Sequence, residues 1–238
     1  MTNMGFWNVR GMNSRTKQFE ISRMLNQNNV GIFGLLETRI QSRNKQSNVF
    51  TTDGKWSVIT NYNLHSGGRI WLIWDPRHFE LVNFRSFAQC IHAKVKDRHK
   101  MQSFWITVVY GMNKASEREE LWKQMRQLRQ SIDGAWCIMG DFNAISSQDD
   151  RIGGSAVTNA DIRPMCNMMD ECELEDLKSK GAFFTWNNKQ VAEHKVYSRV
   201  DRVLINEEWL TLFPWSFAHF MPEGLFDHCP CIIRFDEN

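Results

Sequence analysis

The sequence predicts an α/β domain in which two groups of strands pack face to face with helices outside. Three observations lead there. Short apolar runs that finish on a polar residue recur along the whole chain, as at residues 31–36 before Glu37 and 136–139 before Gly140 and Asp141. Apolar residues at helical spacing occupy only a few stretches between those runs, so helices flank strands and do not build the core. Four strand-like runs, at 56–60, 69–74, 79–84 and 90–95, follow one another with no helix between them, which calls for antiparallel hairpins.

In chain order, residues 5–11 form an aromatic strand that runs into a glycine turn. Asn13 or Ser14 caps a helix carrying Phe19, Ile21, Met24 and Leu25 and closed by Asn28-Asn29. Residues 31–36 are a buried strand. The four hairpin runs are punctuated by Gly67-Gly68 and Asp75-Pro76. Residues 101–110 form a long strand ending in Tyr110-Gly111, and Ser116 is expected to cap a charged helix striped by Leu121, Trp122, Met125 and Leu128. After the strand at 136–143, the expected elements are a loop at 146–154, a helix at 160–173 and a brief strand or turn at 174–177. Strands at 183–186 and 196–205, a helical turn from Glu207 stopped by Pro214, and a last strand at 231–235 complete the order. No repeat, low-complexity tract or linker divides the chain, so residues 1–238 are expected to be a single domain.

Composition narrows the class. Hydrophobic residues make up 42% and charged residues 24%, and the 10 Trp and 16 Phe are more than a disordered chain carries. A net charge of +2 permits local basic patches without marking the whole chain as a nucleic-acid binder. The six cysteines include no CxxC pair, so they read as reduced core thiols of an intracellular, non-secreted protein, not as a zinc site or disulfide framework. No apolar run approaches the ~18 residues of a membrane span, and no signal-peptide layout opens the chain.

The candidate chemistry begins at Trp136-Cys137-Ile138-Met139-Gly140-Asp141-Phe142-Asn143. Alternation along an extended chain puts Asp141 and Asn143 on one side and turns Phe142 away. A carboxylate and a carboxamide at a strand end suit a nucleophilic water or a metal-bound phosphate, although an ordinary Asx turn reads the same way. Asn8, Glu37, Tyr110, Asp201 and the Asp227-His228 pair stand at comparable strand ends. Singly they read as a turn residue, a solvated strand end, an edge aromatic, a surface ion pair beside Arg199 and Arg202, and a capped turn. As a set they have what phosphoester hydrolysis needs. Oxygen ligands hold a hard cation such as Mg²⁺, a carboxylate orients and deprotonates water, and donors meet the charge on phosphoryl oxygens. An aspartate beside a histidine sets its tautomer or charge.

The ordered series Trp7-Asn8-Val9-Arg10-Gly11, Leu35-Leu36-Glu37-Thr38-Arg39, Val109-Tyr110-Gly111, Gly140-Asp141-Phe142-Asn143, Arg199-Val200-Asp201-Arg202 and Asp227-His228-Cys229-Pro230 resembles the endonuclease/exonuclease/phosphatase (DNase I-like) superfamily. Asp150-Arg151-Ile152-Gly153-Gly154, Cys172-Glu173-Leu174, Gly181-Ala182-Phe183-Phe184-Thr185-Trp186-Asn187 and Asn206-Glu207-Glu208-Trp209 are similar to the apurinic-type endonuclease domain of plant LINE (non-LTR) retrotransposons.

The resemblance implies a four-layered α/β sandwich: two mixed β-sheets face to face with helices outside. It implies a Mg²⁺-dependent DNA endonuclease, with Mn²⁺ able to substitute and no organic cofactor, that nicks one strand and leaves a 3′-hydroxyl and a 5′-phosphate. On this likeness Glu37 is the principal metal ligand, helped by Asn8 and Asp227. Asp141 handles the attacking water and Asn143 helps hold it. His228, paired with Asp201, contacts the scissile phosphate as base or electrostatic stabiliser, and Tyr110 faces the same phosphate. Tyr110 favours the apurinic/LINE branch, because secreted DNases place a histidine there. Thr185 matches a threonine near the LINE site, and Arg39 and Arg199 are expected at DNA phosphates. The basic clusters Arg39, Arg43, Lys45 and Lys94, Lys96, Arg98, Lys100 either track phosphates or form solvated faces. The chain departs from the pattern at Phe226, where serine usually precedes the Asp-His pair. The expected partners are DNA and, in the parent element, a reverse transcriptase domain absent from this sequence. The expected location is the nucleus, away from any membrane. Two rivals stay open: a phosphatase or RNA exonuclease of the same fold, and an inactive element-derived remnant that binds nucleic acid.

Overall fold

A computed structural model describes residues 2–41, 44, 48–64 and 69–235. Arg43, Lys45 and the Gly67-Gly68 punctuation lie outside the described residues. The first sheet runs, in spatial order, β11 (Ser179–Gly181), β15 (Ser216–Phe220), β16 (Cys231–Phe235), β1 (Asn3–Asn8), β2 (Val30–Leu36), β4 (Ile70–Trp74) and β3 (Ser57–Thr60). The second runs β10 (Glu175–Asp176), β14 (Asp201–Ile205), β8 (Trp136–Asp141), β7 (Ser103–Tyr110), β6 (Cys90–Asp97) and β5 (Phe79–Ser86). A small third sheet joins β12 (Trp186–Asn187), β13 (Tyr197–Ser198) and β9 (Arg151–Ile152).

Both large sheets are mixed, with a parallel pair at the centre of each and a second, β11 with β15, at the edge of the first. β1 and β2 are parallel and linked by α1 (Arg15–Gln27), while β7 and β8 are parallel and linked by α3 (Ala115–Arg129). Parallel neighbours need such a crossover, and it leaves both strands of a pair ending at the same edge. The register therefore sets Asn8 beside Leu36 and Tyr110 beside Asp141. β14 runs antiparallel to β8 and adds Asp201 on the other side of Asp141.

Alternation decides which way these side chains turn. Met4 and Phe6 on β1 and Cys137 and Met139 on β8 share one buried cluster with Ile32, Ile106 and Val203, between the two sheets. Asn8 and Asp141 have the parity of those inward residues. Trp7, Phe33, Leu35 and Trp71 turn outward under α1 and α2 (Val49–Thr52). Trp136, Ile138 and Phe142 turn outward under α3 and α4 (Asn159–Glu171), against Trp122, Met125, Met165 and Met168. Helix, sheet, sheet, helix is the four-layered sandwich expected from the sequence.

Several local expectations change. Ser116 does not cap α3: the N-cap is Lys114, without a side-chain bond. The helix expected from 160 is α4, and a reciprocal Thr158–Asp161 capping box starts it at Asn159. The strand expected at 183–186 narrows to Trp186–Asn187, and that at 196–205 is two strands, β13 and β14, broken at Arg199-Val200 as the chain passes from the small sheet to the large one. β15 went unforeseen. Ser14 is the cap of α1, and all six cysteines are free thiols. No helix among the described residues is long and apolar enough to cross a membrane.

Candidate active site

The ends of the two central parallel pairs meet across the sandwich. Asn8 Nδ2 donates to Asp141 Oδ2 at 2.8 Å, tying β1 to β8. The other oxygen of Asp141 accepts from the backbone N–H of Asn143 at 2.9 Å, and Asn143 Nδ2 reaches the Gly111 carbonyl at 2.8 Å. Phe142 turns away to stack on Trp122. Only glycine fits before this turn: at Gly140 φ is +150°, and a Cβ would lie 2.0 Å from the Val109 carbonyl oxygen.

His228 enters from the loop before β16. Its carbonyl accepts from Trp7 Nε1 at 2.9 Å, and a single bridge pairs it with Trp186. His228 Nδ1 donates to Asp201 Oδ2 at 2.8 Å, and Nε2 stands 3.8 Å from Asp141 Oδ2. Burial alone would lower the imidazole pKa, but the Asp201 and Asp141 carboxylates overturn this and push it up to about 9. These carboxylates thus favour the imidazolium form of His228. Burial, reinforced by Asp201, pushes Asp141 up to about 7, near the range of a general base. Burial, with Glu37 and Asp141 nearby, raises the Tyr110 phenol, so its O–H stays a donor. Arg69 caps that hydroxyl at 3.3 Å.

Around these groups opens a cleft of about 390 Å³, lined also by Arg10, Glu37, Arg39, Asn113, Arg151, Trp186, Ser198 and Val200. Two sets of side chains offer themselves to a cation. Asp141, Asp201 and His228 bring ligand atoms within 4.8 Å of one another. Within this trio, however, only His228 and Asp201 are hydrogen-bonded to each other, Asp141 is tied to Asn8 and Asn143 instead, and a protonated ring has no free lone pair for a cation. Asn8, Glu37 and Asp227 form the second set. All three offer oxygen, as a hard cation requires. Arg10 joins them: its N–H donates to Asn8 Oδ1 at 3.0 Å and its guanidinium holds Asp227. Burial would raise the Asp227 carboxyl, but His228 and Arg10 hold it below its usual range. Trp186 Nε1 adds a donor to Asp227 at 3.3 Å, and Arg39 pairs with Glu37.

Asn8, Tyr110, Asp141, Asn143, Asp201, Asp227, His228, Glu37 and Arg39 are all at or directly behind this cleft. Thr185 and Arg199, expected at DNA phosphates, do not line it. Thr185 is buried, and its hydroxyl accepts from the N–H groups of Val200 and Asp201 at 3.2 and 3.0 Å, fixing the strand that carries Asp201. Arg199 sits where β13 gives way to β14, stacks on Phe183 and faces Asp176 at 3.8 Å. Lys94 pairs with Asp133 and Arg98 with Glu80, at the end of the second sheet remote from Tyr110. Arg10, Arg151 and Trp186 were unforeseen. All three lie within the quoted motifs Trp7–Gly11, Asp150–Gly154 and Gly181–Asn187, which is the only signal that singles them out.

A two-sheet sandwich with a polar cleft where its central parallel strands end defines the DNase I-like class. The chain belongs to the Endonuclease/Exonuclease/phosphatase family, whose profile matches residues 5–223. Similar solved structures include the endonuclease domain of TRAS1, a telomere-specific non-LTR retrotransposon, at 14% identity and TM-score 0.74 over 100% of both chains. The AP endonuclease LMAP from Leishmania major superposes with TM-score 0.73 at 11% identity, over 100% of this chain and 88% of its own. The mannosyl-6-phosphatase Bt3783 of Bacteroides thetaiotaomicron gives TM-score 0.66 at 12% identity over 100% of both chains. None of the curated proteins matches the sequence.

Proposed function

We propose that the protein is a metal-dependent endonuclease that hydrolyses a DNA phosphodiester, nicking one strand to leave a 3′-hydroxyl and a 5′-phosphate. The observation that carries this reading is the Asp141 carboxylate, fixed by Asn8 and Asn143 and facing the Asp201-backed imidazolium. A carboxylate so held takes the proton of a water attacking phosphorus, while the P–O3′ bond breaks and the 3′-oxygen leaves, taking a proton from solvent water to become the hydroxyl. His228, and the neutral Tyr110 hydroxyl, donate to phosphoryl oxygens as charge develops there. Asp201 holds the imidazole ring and its charge. Glu37, Asn8 and Asp227 would hold Mg²⁺ or Mn²⁺, which supplies Lewis-acid stabilisation of phosphate charge when bound.

The arginines Arg10, Arg39 and Arg151 around the acids favour an extended polyanion over a lone phosphomonoester. With the likeness to the TRAS1 endonuclease domain, this supports target nicking of the LINE type, in which the new 3′-hydroxyl primes reverse transcription, and hence work in the nucleus. The purified chain is expected to nick supercoiled plasmid with Mg²⁺, to stop in EDTA, and to lose about 10²–10⁴-fold in rate on Asp141→Ala. Plasmid that stays intact under all conditions, or turnover of a sugar phosphate instead, would sink the reading.

A further inference from the structure

Arg10, Glu37 and Arg39 share a backbone peculiarity. All three are non-glycine residues in the left-handed region, with φ of +38°, +50° and +53°. Such conformations are disfavoured for residues with a Cβ and persist where surrounding structure over-determines them. Here that support is visible. Gly11 N–H donates to the Glu37 carbonyl at 2.7 Å and Met12 N–H to the Thr38 carbonyl at 3.0 Å, so the two turns are sewn together. Their joint effect is to aim two arginines and an acid into one cleft.

Neither guanidinium is bound as a structural core cation. The Arg10 and Arg39 side chains are 54% and 55% exposed, while the carboxylates they hold, Asp227 and Glu37, are 8% and 15% exposed. These are the acids assigned above to the cation edge. An exposed guanidinium paired with a carboxylate gains little in water and exchanges partners readily. A dication taking those acids would leave two arginines beside the cleft with no carboxylate, and a planar guanidinium then suits a phosphate oxygen pair.

Resting on the reading of the site given above, we infer that Arg10 and Arg39 compete with a divalent cation for Asp227 and Glu37 and, once displaced, clamp a phosphate of the nucleic-acid backbone. They are positioning residues: they tie metal loading to substrate binding.

The test has two arms on the full chain. In the first, Mn²⁺ alone is titrated by electron paramagnetic resonance into wild type, Arg10→Ala, Arg39→Ala and the double variant. Affinity is expected to rise about two- to fivefold for each single variant and further for the double. In the second, binding of a short fluorescent duplex in Ca²⁺ is followed by anisotropy across a salt series. Affinity is expected to fall, and the salt slope to shrink by about one per arginine removed. Opposite signs in the two arms are the signature, since damage to the fold would weaken both. Arg10→Lys and Arg39→Lys keep the charge and should return both values toward wild type. Mn²⁺ affinity that is unchanged or weaker in variants melting like wild type overturns the competition, and unchanged duplex affinity overturns the clamp. Should an alanine variant melt early, Arg10→Met and Arg39→Met keep the stems and are read by the same criteria. Failure of the nuclease reading shows separately, as a wild-type chain that shifts in the Mn²⁺ arm yet never nicks plasmid.

Discussion

Phe226 stands directly before Asp227 and His228, yet its side chain leaves the cleft. It is buried in the outer layer under α1, with its ring centroid 4.2 Å from that of Trp7 and the Lys17 ammonium 5.0 Å away. Trp7 in turn donates to the His228 carbonyl, so the phenylalanine braces the His228 loop through packing where a serine would use a hydrogen bond. Phe226→Ser should therefore destabilise by about 3–5 kcal/mol, the range for emptying a buried phenyl site. The nicking rate per folded molecule should hold, because no atom of Phe226 reaches the cleft. Denaturant melts paired with plasmid assays at low temperature check both halves; a faster, equally stable variant would show that serine is missed.

At the scale of elements, the site was legible wherever a buried strand ended. Residues 31–36 and 136–141 are apolar runs with a polar stop, and a strand buried on both faces leaves no other place for that polar group. Arg10, just after β1, and Arg151 and Trp186, on the short strands β9 and β12, carry no such signature, since each looks alike in sequence whether it meets solvent or a cleft. The break at Arg199-Val200 was invisible because both halves have strand composition; it exists because β13 pairs with β9 while β14 pairs with β8. Asn206 shows how such long-range ties work. It caps α5 (Glu207–Leu212) by accepting from Trp209 N–H at 3.1 Å, and the same oxygen accepts from Trp136 N–H at 2.8 Å. Its amide nitrogen donates to the Gly134 carbonyl at 2.9 Å. An exposed cap is worth about 1 kcal/mol, but this one also satisfies the buried start of β8. Asn206→Ala is expected to cost about 2–4 kcal/mol, and a loss under 1 kcal/mol in urea titration would refute the shared-cap role.

At the scale of the whole molecule, acid stability has an identifiable source away from the cleft. His92 lies on the outer face of the second sheet, stacked on Trp105 at 4.8 Å and edge-on to Trp136. Thr107 Oγ1 accepts from Trp136 Nε1 at 2.9 Å and so offers its proton to His92 Nδ1 at 2.8 Å, which suits a neutral ring. Nε2 is buried without a partner. Burial, with Arg85 contributing, lowers the imidazole from 6.5 to about 4. Between those values the unfolded chain binds a proton that the folded chain refuses, so this contribution to stability is whole above pH 6.5 and lost as pH falls toward 4. Its size is at most about 3 kcal/mol. Asp141 works against it: a carboxyl raised from 3.8 to about 7 favours the folded state more as pH falls through the same window. Several groups thus titrate in or near this window, His219 among those lowered, and only a difference isolates His92. His92→Phe keeps the stack and removes the titration. Urea midpoints of wild type and His92→Phe should diverge in the variant's favour as pH drops from 6.5 to 4, and a gap that stays constant with pH would mean that His92 takes up its proton as readily in the fold as in the unfolded chain.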